Sequence, residues 1–480
     1  MNKVSILHIS DLHKDENDDY QHLLASLEND IDKCLKTEKI RKPDIIVVSG
    51  DIVKGAEGAN ADSEINRQYN EAKLFLEKLV DLFLNGDKRK IVIVPGNHDI
   101  NREISKTSMM EVSHLEEDTK YIYKKLRDNS SMVRWDWSNL KFYKITDIDI
   151  YNKRFKNFAE FYDNFYENIR KFPEKPEEQS CIYQLDDLKI AFIGFNSCCY
   201  LDNLNTSGCI HPTCLTRLNS ELKQLYERGY LLIGVWHHHT TGSPNESNYL
   251  DKRILSAMID RKIFLGLHGH QHICGIANEF KSFLNEESLF LISAGTIYGG
   301  QKELPYGAKR QYNILEITFD DEINVTVHSR EDQDANIFSI PSWNKGSIGS
   351  NRESYIKFNL PKLPDYKINM DVLIDKILKE AESDENLYQT CEKLISLGTT
   401  HKIVRKFLLD FLSKLQDYDK IYSIFIEPQN VEEAVALLNA TIEMNEKTKI
   451  NSVLRNSFIC NSVDLSITYL RNEAQRLINK

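Results

Sequence analysis

Residues 91–99 read Ile-Val-Ile-Val-Pro-Gly-Asn-His-Asp. Four apolar residues suit a strand buried on both faces, and a turn pair then delivers three side chains able to bind metal or move protons. The same arrangement occurs four more times. Val4–Ile9 leads to Asp11 and His13, and Ile45–Val48 to Gly50 and Asp51. Leu231–Val235 leads to His237, His238 and His239, and Ile263–Leu267 to Gly269, His270, Gln271 and His272. Asp, Asn and His at the ends of neighbouring strands can converge on one point. Together they make a hard, mixed nitrogen and oxygen donor set suited to two divalent transition ions.

Taken in order, D-x-H, GD, GNHD, H and GHxH resemble the signature of the calcineurin-like metallophosphoesterase superfamily over about residues 1–330. The resemblance implies an α/β fold, a four-layer α/β/β/α sandwich with two sheets face to face and helices outside. It also implies a ligand set. One metal takes Asp11, His13 and His272, the other takes Asn97, His237 and His270, and Asp51 bridges them. Two dications about 3.5–4 Å apart repel, which is why a shared carboxylate is needed between them. The i, i+2 spacing of His270 and His272 sends both rings to one face of an extended segment. Of the three consecutive histidines, His237 is the expected ligand and His238 a substrate contact. The expected cofactor is a pair of divalent ions, manganese first, with iron, zinc, nickel and magnesium as alternatives.

The implied activity is hydrolysis of a phosphate ester, with a metal-bridging hydroxide attacking phosphorus in line. His98 is the expected proton donor to the leaving group, and Asp99 is expected to fix its tautomer. Arg102 and Asn196 are candidate substrate contacts, with Tyr298 and Arg310 in later loops. GNHD rather than GNHE points away from protein phosphatases and toward a phosphodiesterase or nuclease acting on nucleotides or nucleic acid. The alternative is a partner-regulated effector or scaffold, assembled through its helical tail, with phosphomonoesterase activity on a small molecule.

The chain has 480 residues, so two domains are expected, and its net charge of −11 excludes a general polyanion binder. No apolar run approaches a membrane span and no signal peptide is apparent, which makes the cytoplasm the expected location. Nine irregularly spaced cysteines, Cys198, Cys199, Cys209 and Cys214 among them, read as free thiols.

Residues 1–335 are expected to form the catalytic domain, interrupted at 101–180 by a helical, aromatic-rich insertion or cap. Within it Phe155, Phe158, Tyr162, Phe165 and Ile169 follow helical spacing. A closing hairpin is expected from Asn313–Phe319 and Ile323–Val327, turning at Asp320 and Asp321. Residues 336–366, rich in Pro, Gly and Ser, read as a linker or a surface arm. Residues 367–480 read as an all-helical domain of nearly balanced charge. It is a candidate surface for homo-oligomerisation or a protein partner.

Overall fold

The computed structural model describes residues 2–14, 20–112, 119–167, 169–242, 248–282, 285–298, 304, 308–319, 322–333, 340–348, 352–364, 374, 377–378, 387–399 and 402–479. The chain divides into two compact units, Met1–Asp365 and Tyr366–Lys480.

The first unit opens with β1 (Asn2–Ile9), α1 (Tyr20–Lys33), β2 (Ile45–Val48), α2 (Ala61–Leu84) and β3 (Ile91–Ile93). The strands β1, β2 and β3 lie parallel in that order. From Val4 onward in β1, and throughout β2 and β3, the side chains are buried on both faces, as the unbroken apolar runs require. An insertion follows: α3 (Arg102–Thr107), β4 (Met109–Val112), α4 (Thr119–Arg127), β5 (Val133–Asp136), β6 (Lys141–Ile145), α5 (Ile148–Asn152) and α6 (Lys156–Tyr166).

Next come β7 (Ser180–Leu185), β8 (Ile190–Phe195), α7 (Pro212–Glu227), β9 (Leu231–Val235), α8 (Arg253–Asp260), β10 (Ile263–His268), β11 (Gly275–Ser282) and β12 (Asn285–Ser293). The unit closes with β13 (Gln311–Phe319), β14 (Ile323–Asp332), β15 (Trp343–Lys345) and β16 (Tyr355–Leu360).

One sheet runs β15-β14-β13-β1-β2-β3, with β16 also on β14, and the second runs β11-β12-β10-β9-β8-β7. The two sheets share one core, with residues such as Ile6, Val47, Val92, Phe192, Ile233 and Leu265 fully buried. Tyr183 crosses between them to donate its hydroxyl to the Ile93 carbonyl at 2.9 Å. With helices on the outer faces this is the four-layer α/β/β/α sandwich. In the second sheet β8, β9, β10 and β12 are parallel, so their carboxyl ends, like those of β1–β3, lie at one edge. That edge is where ligands gather in parallel α/β sheets.

Three expectations about organisation change. The insertion at 101–180 is only partly helical, because β4, β6 and β5 form a small antiparallel sheet of their own. Its aromatic stripe faces the body. Phe155, Phe158, Tyr162 and Phe165 are buried, and Phe161 stacks on Tyr69 of α2 at 4.8 Å. Ile169 is exposed instead. The 336–366 stretch contains β15 and β16, both paired antiparallel with β14, so much of the expected linker completes the first sheet. The expected β13–β14 hairpin forms, pairing Phe319 with Ile323, and its turn residues Asp320 and Asp321 lie outside the described residues.

The second unit is helical: α9 (Leu387–Ser396), α10 (Lys402–Leu415), α11 (Tyr418–Phe425), α12 (Val431–Met444), α13 (Lys447–Leu454), α14 (Ser457–Cys460) and α15 (Leu465–Asn479). Val404, Leu408 and Leu412 line one face of α10 and pack with Ile421 and Phe425. Asn430 caps α12 by accepting from the Glu433 amide at 2.9 Å. Glu433 in turn takes a two-pronged ion pair from the buried Arg405, at 3.0 and 2.7 Å. Among the described residues no helix is long and apolar enough to cross a membrane.

Candidate metal centre

The loops after β1, β2, β3, β9 and β10 bring the five polar clusters together. They hold one another through the main chain: the amides of Asp11, His13 and Lys14 each donate to the carbonyls of Gly50, Asp51 and Ile52 at 3.0 Å. Asp11, His13, Asp51, His270 and His272 all have left-handed backbone, with φ between +43° and +79°. Non-glycine residues seldom adopt this conformation, and it costs of order 1–3 kcal/mol where it is held at a functional site. Gly269 gives a second constraint. A Cβ there would lie 1.9 Å from Ser10 Oγ and 2.5 Å from Asp11 Oδ2, so the chain passes too close to the carboxylate for any side chain.

Two donor sets result. In the first, His272 Nε2 lies 3.2 Å from Asp11 Oδ1 and 3.1 Å from His13 Nε2, while His13 Nε2 is 3.9 Å from Asp51 Oδ2. The donor atoms of Asp11, His13, Asp51 and His272 all fall within 4.8 Å of one another. In the second, Asn97 Oδ1 lies 3.0 Å from His237 Nε2 and 2.8 Å from His270 Nδ1. His237 Nε2 is 3.1 Å from Asp51 Oδ2, so the same Asp51 oxygen faces both sets. Its other oxygen, Oδ1, accepts from the His98 amide at 2.8 Å.

The electrostatics agree with a cation site. Burial pushes His13 down to about 3 and His270 down to about 4, leaving both rings neutral and able to donate lone pairs. Burial opposes the charge on His237 too, but Asp51 and Asp11 outweigh it and raise it to about 9. Burial likewise opposes the Asp11 carboxylate, yet His272 and His237 hold it below the usual range. Two ring nitrogens facing each other at 3.1 Å between carboxylates is an arrangement that a shared cation reconciles. The mixed imidazole, carboxylate and amide donors fit divalent transition ions.

Around this centre some expected residues take other places. Asp99 does not reach the His98 ring. Its carboxylate is fully buried and accepts from the amides of Gly96 at 2.7 Å, Ile52 at 3.2 Å and Val53 at 3.3 Å, and from the Tyr69 hydroxyl at 3.0 Å. It therefore ties the GNHD turn to the Asp51 loop. The tautomer of His98 is set instead by the Lys54 carbonyl, 2.8 Å from Nδ1. Nδ1–H donates there and Nε2 is left for chemistry, with the ring edge-on to His13 at 4.7 Å.

His238 has no exposed surface, so the expected substrate contact is corrected. Its Nδ1 meets Ser197 Oγ at 2.9 Å and its ring lies 4.8 Å from that of His270, beneath the donor set. Asn196 is also buried: its side-chain NH2 donates to Gln179 at 2.7 Å and its oxygen accepts from the Cys198 amide at 2.7 Å. Arg310 is closed by Asp332. Arg102 begins α3, half-buried, and makes no side-chain hydrogen bond among the described residues. Tyr298 lies 4.7 Å from the Lys14 ammonium.

Sequence reasoning missed Ser197, whose Oγ also accepts from the amides of His237 and His238 at 3.2 Å each. The signal was present: a serine two residues past the end of a buried strand, in a sheet whose neighbouring strands already carry the ligands. His268 is a core residue stacked on Trp236. The nine cysteines are free thiols.

The calcineurin-like phosphoesterase family model matches residues 4–274. The chain is 22% identical to an uncharacterized metallophosphoesterase-like protein, YydB of Bacillus subtilis strain 168, over 99% of this chain and 85% of that protein. Among solved structures it is similar to a dimetal phosphatase from Danio rerio. The TM-score is 0.36 at 11% identity, over 68% of this chain and 96% of that one. It is similar also to an anchor protein of the Plasmodium inner membrane complex. Here the TM-score is 0.34 at 12% identity, over 78% of this chain and 94% of that one.

Proposed function

Since the chain belongs to the calcineurin-like phosphoesterase family, we propose that it is a phosphodiesterase or nuclease acting on nucleotides or nucleic acid. It would use two divalent ions, manganese first. What supports the two ions is the pair of donor sets sharing one oxygen of Asp51, and the diester preference rests on the GNHD form of residues 96–99. Asp11, His13 and His272 would hold one ion and Asn97, His237 and His270 the other. The ions would supply charge neutralisation on the phosphate and an activated water.

The chain's own groups do the rest. Asp51 holds the two sites at fixed separation, and its second oxygen, bonded to the His98 amide, places His98 beside them. Once doubly protonated, His98 keeps its Nδ1–H on the Lys54 carbonyl and gives the proton on Nε2 to the leaving oxygen. Asp99 and Ser197 act through others: one locks the GNHD turn, the other sets the His237–His238 main chain.

The test is hydrolysis by the full chain with manganese of a nitrophenyl diester, a monoester, cyclic nucleotides, and single- and double-stranded DNA and RNA. Metal content is measured in parallel. Diester cleavage that excess chelator abolishes, with near two ions per chain, is expected. Turnover of monoesters alone would reject the diesterase reading, and full activity in chelator would reject the dimetal one.

A second reading concerns assembly. The helical unit exposes Val463, Leu465 and Tyr469, at 93%, 86% and 68% of their surface, at and just before the start of α15. Such a patch favours a role in homo-oligomerisation or partner binding. A solution mass that shifts when these three become Ser would support it.

A further inference from the structure

The insertion carries one feature that the metal centre does not use. Residues 119–127 read Thr-Lys-Tyr-Ile-Tyr-Lys-Lys-Leu-Arg, with four basic residues and no acid, in a chain of net charge −11. They form α4, with Tyr121 and Tyr123 each 59% exposed.

This helix walls a cavity of about 1160 Å³. Tyr123, Lys124 and Arg127 stand on one side, and Tyr200, Cys209 and His211 on another. Lys124 and Arg127 pair with no carboxylate among the described residues and lie instead over Tyr121 and Tyr123 of their own helix, at 5.9 and 5.1 Å. The other charges at the cavity are engaged. Arg253 is paired with Asp251, and Asp128 accepts from the amide and hydroxyl of Ser130 at 3.0 and 2.7 Å. The Ser130 bonds leave the Asp128 carboxylate charged, so Lys124, Arg127 and Arg253 against Asp128 and Asp251 give the lining a net charge of +1, with Tyr123 and Tyr200 as its aromatic surface.

Buried contacts link the cavity wall to the metal centre, although none of the metal-donor residues lines the cavity itself. Gly208 lies so close under His238 that a Cβ there would be 2.6 Å from its ring, and Cys209, the next residue, faces the cavity. The Cys209 amide donates at 2.7 Å to the carbonyl of Ser197, whose hydroxyl holds His238. Leu250, another wall residue, bridges Gly208 and donates to the His239 carbonyl at 2.7 Å.

The volume exceeds the ~300–1,000 Å³ usual for a small-molecule site. Unpaired cations interleaved with exposed tyrosines are what a single strand needs: phosphates on the cations, bases stacked on the rings. A duplex, with its bases paired inside, gains nothing from the tyrosines.

We propose that this cavity holds the phosphates and bases flanking the scissile linkage, so that the substrate is single-stranded nucleic acid rather than a mononucleotide. The proposal rests on the phosphodiesterase reading for the cleavage step, but binding can be tested apart from it. The experiment compares the full chain with the double variant Lys124→Gln, Arg127→Gln. Anisotropy of a labelled short single-stranded DNA or RNA is followed in chelator across a salt series, with a mononucleotide as competitor. Cleavage of the same strands and of a nitrophenyl diester is followed with manganese.

The variant should bind the strand about tenfold or more weakly, and the slope of log affinity against log salt should fall by about 1.4, near 0.7 per phosphate contact. Its kcat/KM for the strand relative to the nitrophenyl diester should fall about tenfold. Equal affinity and slope in the two proteins, no strand binding by the unsubstituted chain, or equal competition by the mononucleotide would each overturn the cavity proposal. Strand binding that depends on Lys124 and Arg127, with no diester cleaved, upholds the cavity and rejects the phosphodiesterase reading. DNA and RNA arms that differ identify which strand the cavity prefers.

Discussion

Replacing Gly96 by alanine adds one carbon at the most crowded point of the centre. The new Cβ would stand 2.2 Å from Asp51 Oδ1, 2.3 Å from Asp51 N and 2.8 Å from Asp51 Cγ. Ordinary contact needs about 3.4–4 Å, so the overlap exceeds 1 Å, and the atoms it meets cannot swing away. Asp51 N is main chain, Asp51 already sits at φ +50°, and Oδ1 is tied to the His98 amide. The loop must therefore move by about an ångström, carrying Oδ2 away from its places 3.1 Å from His237 Nε2 and 3.9 Å from His13 Nε2. A displacement of that size costs about 100-fold in rate. Overpacking costs about 1–3 kcal/mol of stability, a fraction of the ~5–15 kcal/mol typical of a folded chain. The variant should therefore fold, hold fewer than two ions, and lose at least about 100-fold in kcat/KM on a nitrophenyl diester. Gly58→Ala is the control. It imposes a φ of +87° on alanine, with nothing within 4 Å of the added carbon, so it tests backbone strain without touching Asp51. Elemental analysis, melting and steady-state kinetics read the result. Near-normal activity with two tightly held ions in Gly96→Ala would refute the placement of Asp51 between two sites.

Two further outcomes follow from single groups. His98→Ala should keep both ions and lose roughly 100- to 10,000-fold on esters with alkoxide leaving groups, but far less on nitrophenoxide, which needs no proton; an equal loss on both would remove His98 as the acid. Glu316 is opposed by burial, yet its carboxyl is held down to about 2 by His328, Lys3 and the Arg41 amide. Because the folded value is depressed, its stabilisation, of order 3 kcal/mol, is full above about pH 4.5 and is lost as pH falls toward 2. Melting curves of Glu316→Gln and the unsubstituted chain should differ most at neutral pH and converge only toward pH 2; a gap constant with pH would show that the charge contributes nothing.

The sequence made the strands and their terminal polar clusters legible because both signals are local. A fully apolar run reports burial on both faces, and the residues that follow it must emerge at the strand end. What it hid was the direction of side chains in the loops. His98 and Asp99 are adjacent, yet the turn closed by the Asp99 amide on the Gly96 carbonyl sends the carboxylate inward to the Gly96, Ile52 and Val53 amides, away from the neighbouring ring. Asn196 and Ser197 differ in the same way, and the serine is the one that meets the histidines. The missed strands have a different cause. In β16 exposed residues alternate with half-buried ones, and β6 begins and nearly ends with lysine, so neither shows an apolar run. The pairing of β16 with β14 comes from a partner about thirty residues upstream, and no local pattern records it.

The left-handed residues say how the centre keeps its shape. Five of the seven expected ligands pay a backbone cost that isolated loops would relax. They do not relax because each loop is the other's scaffold. The Asp11–Lys14 segment hangs on the carbonyls of Gly50–Ile52, and the His270 amide donates to Asp11 at 3.1 Å. Asp99 ties the third loop to the second, and Thr296 Oγ1 donates to the Asp11 carbonyl at 2.6 Å from the far side. These bonds involve no ligand lone pair that a cation would use, except at Asp11 and Asp51, whose carboxylates have acceptor sites to spare. The donors are thus arranged by the fold itself, and the ions enter a geometry the glycines and the loop hydrogen bonds have already set. That is why the short strings recur at fixed places after their strands: each names a point where the main chain passes too close, or turns too sharply, for other residues to hold the same donor there.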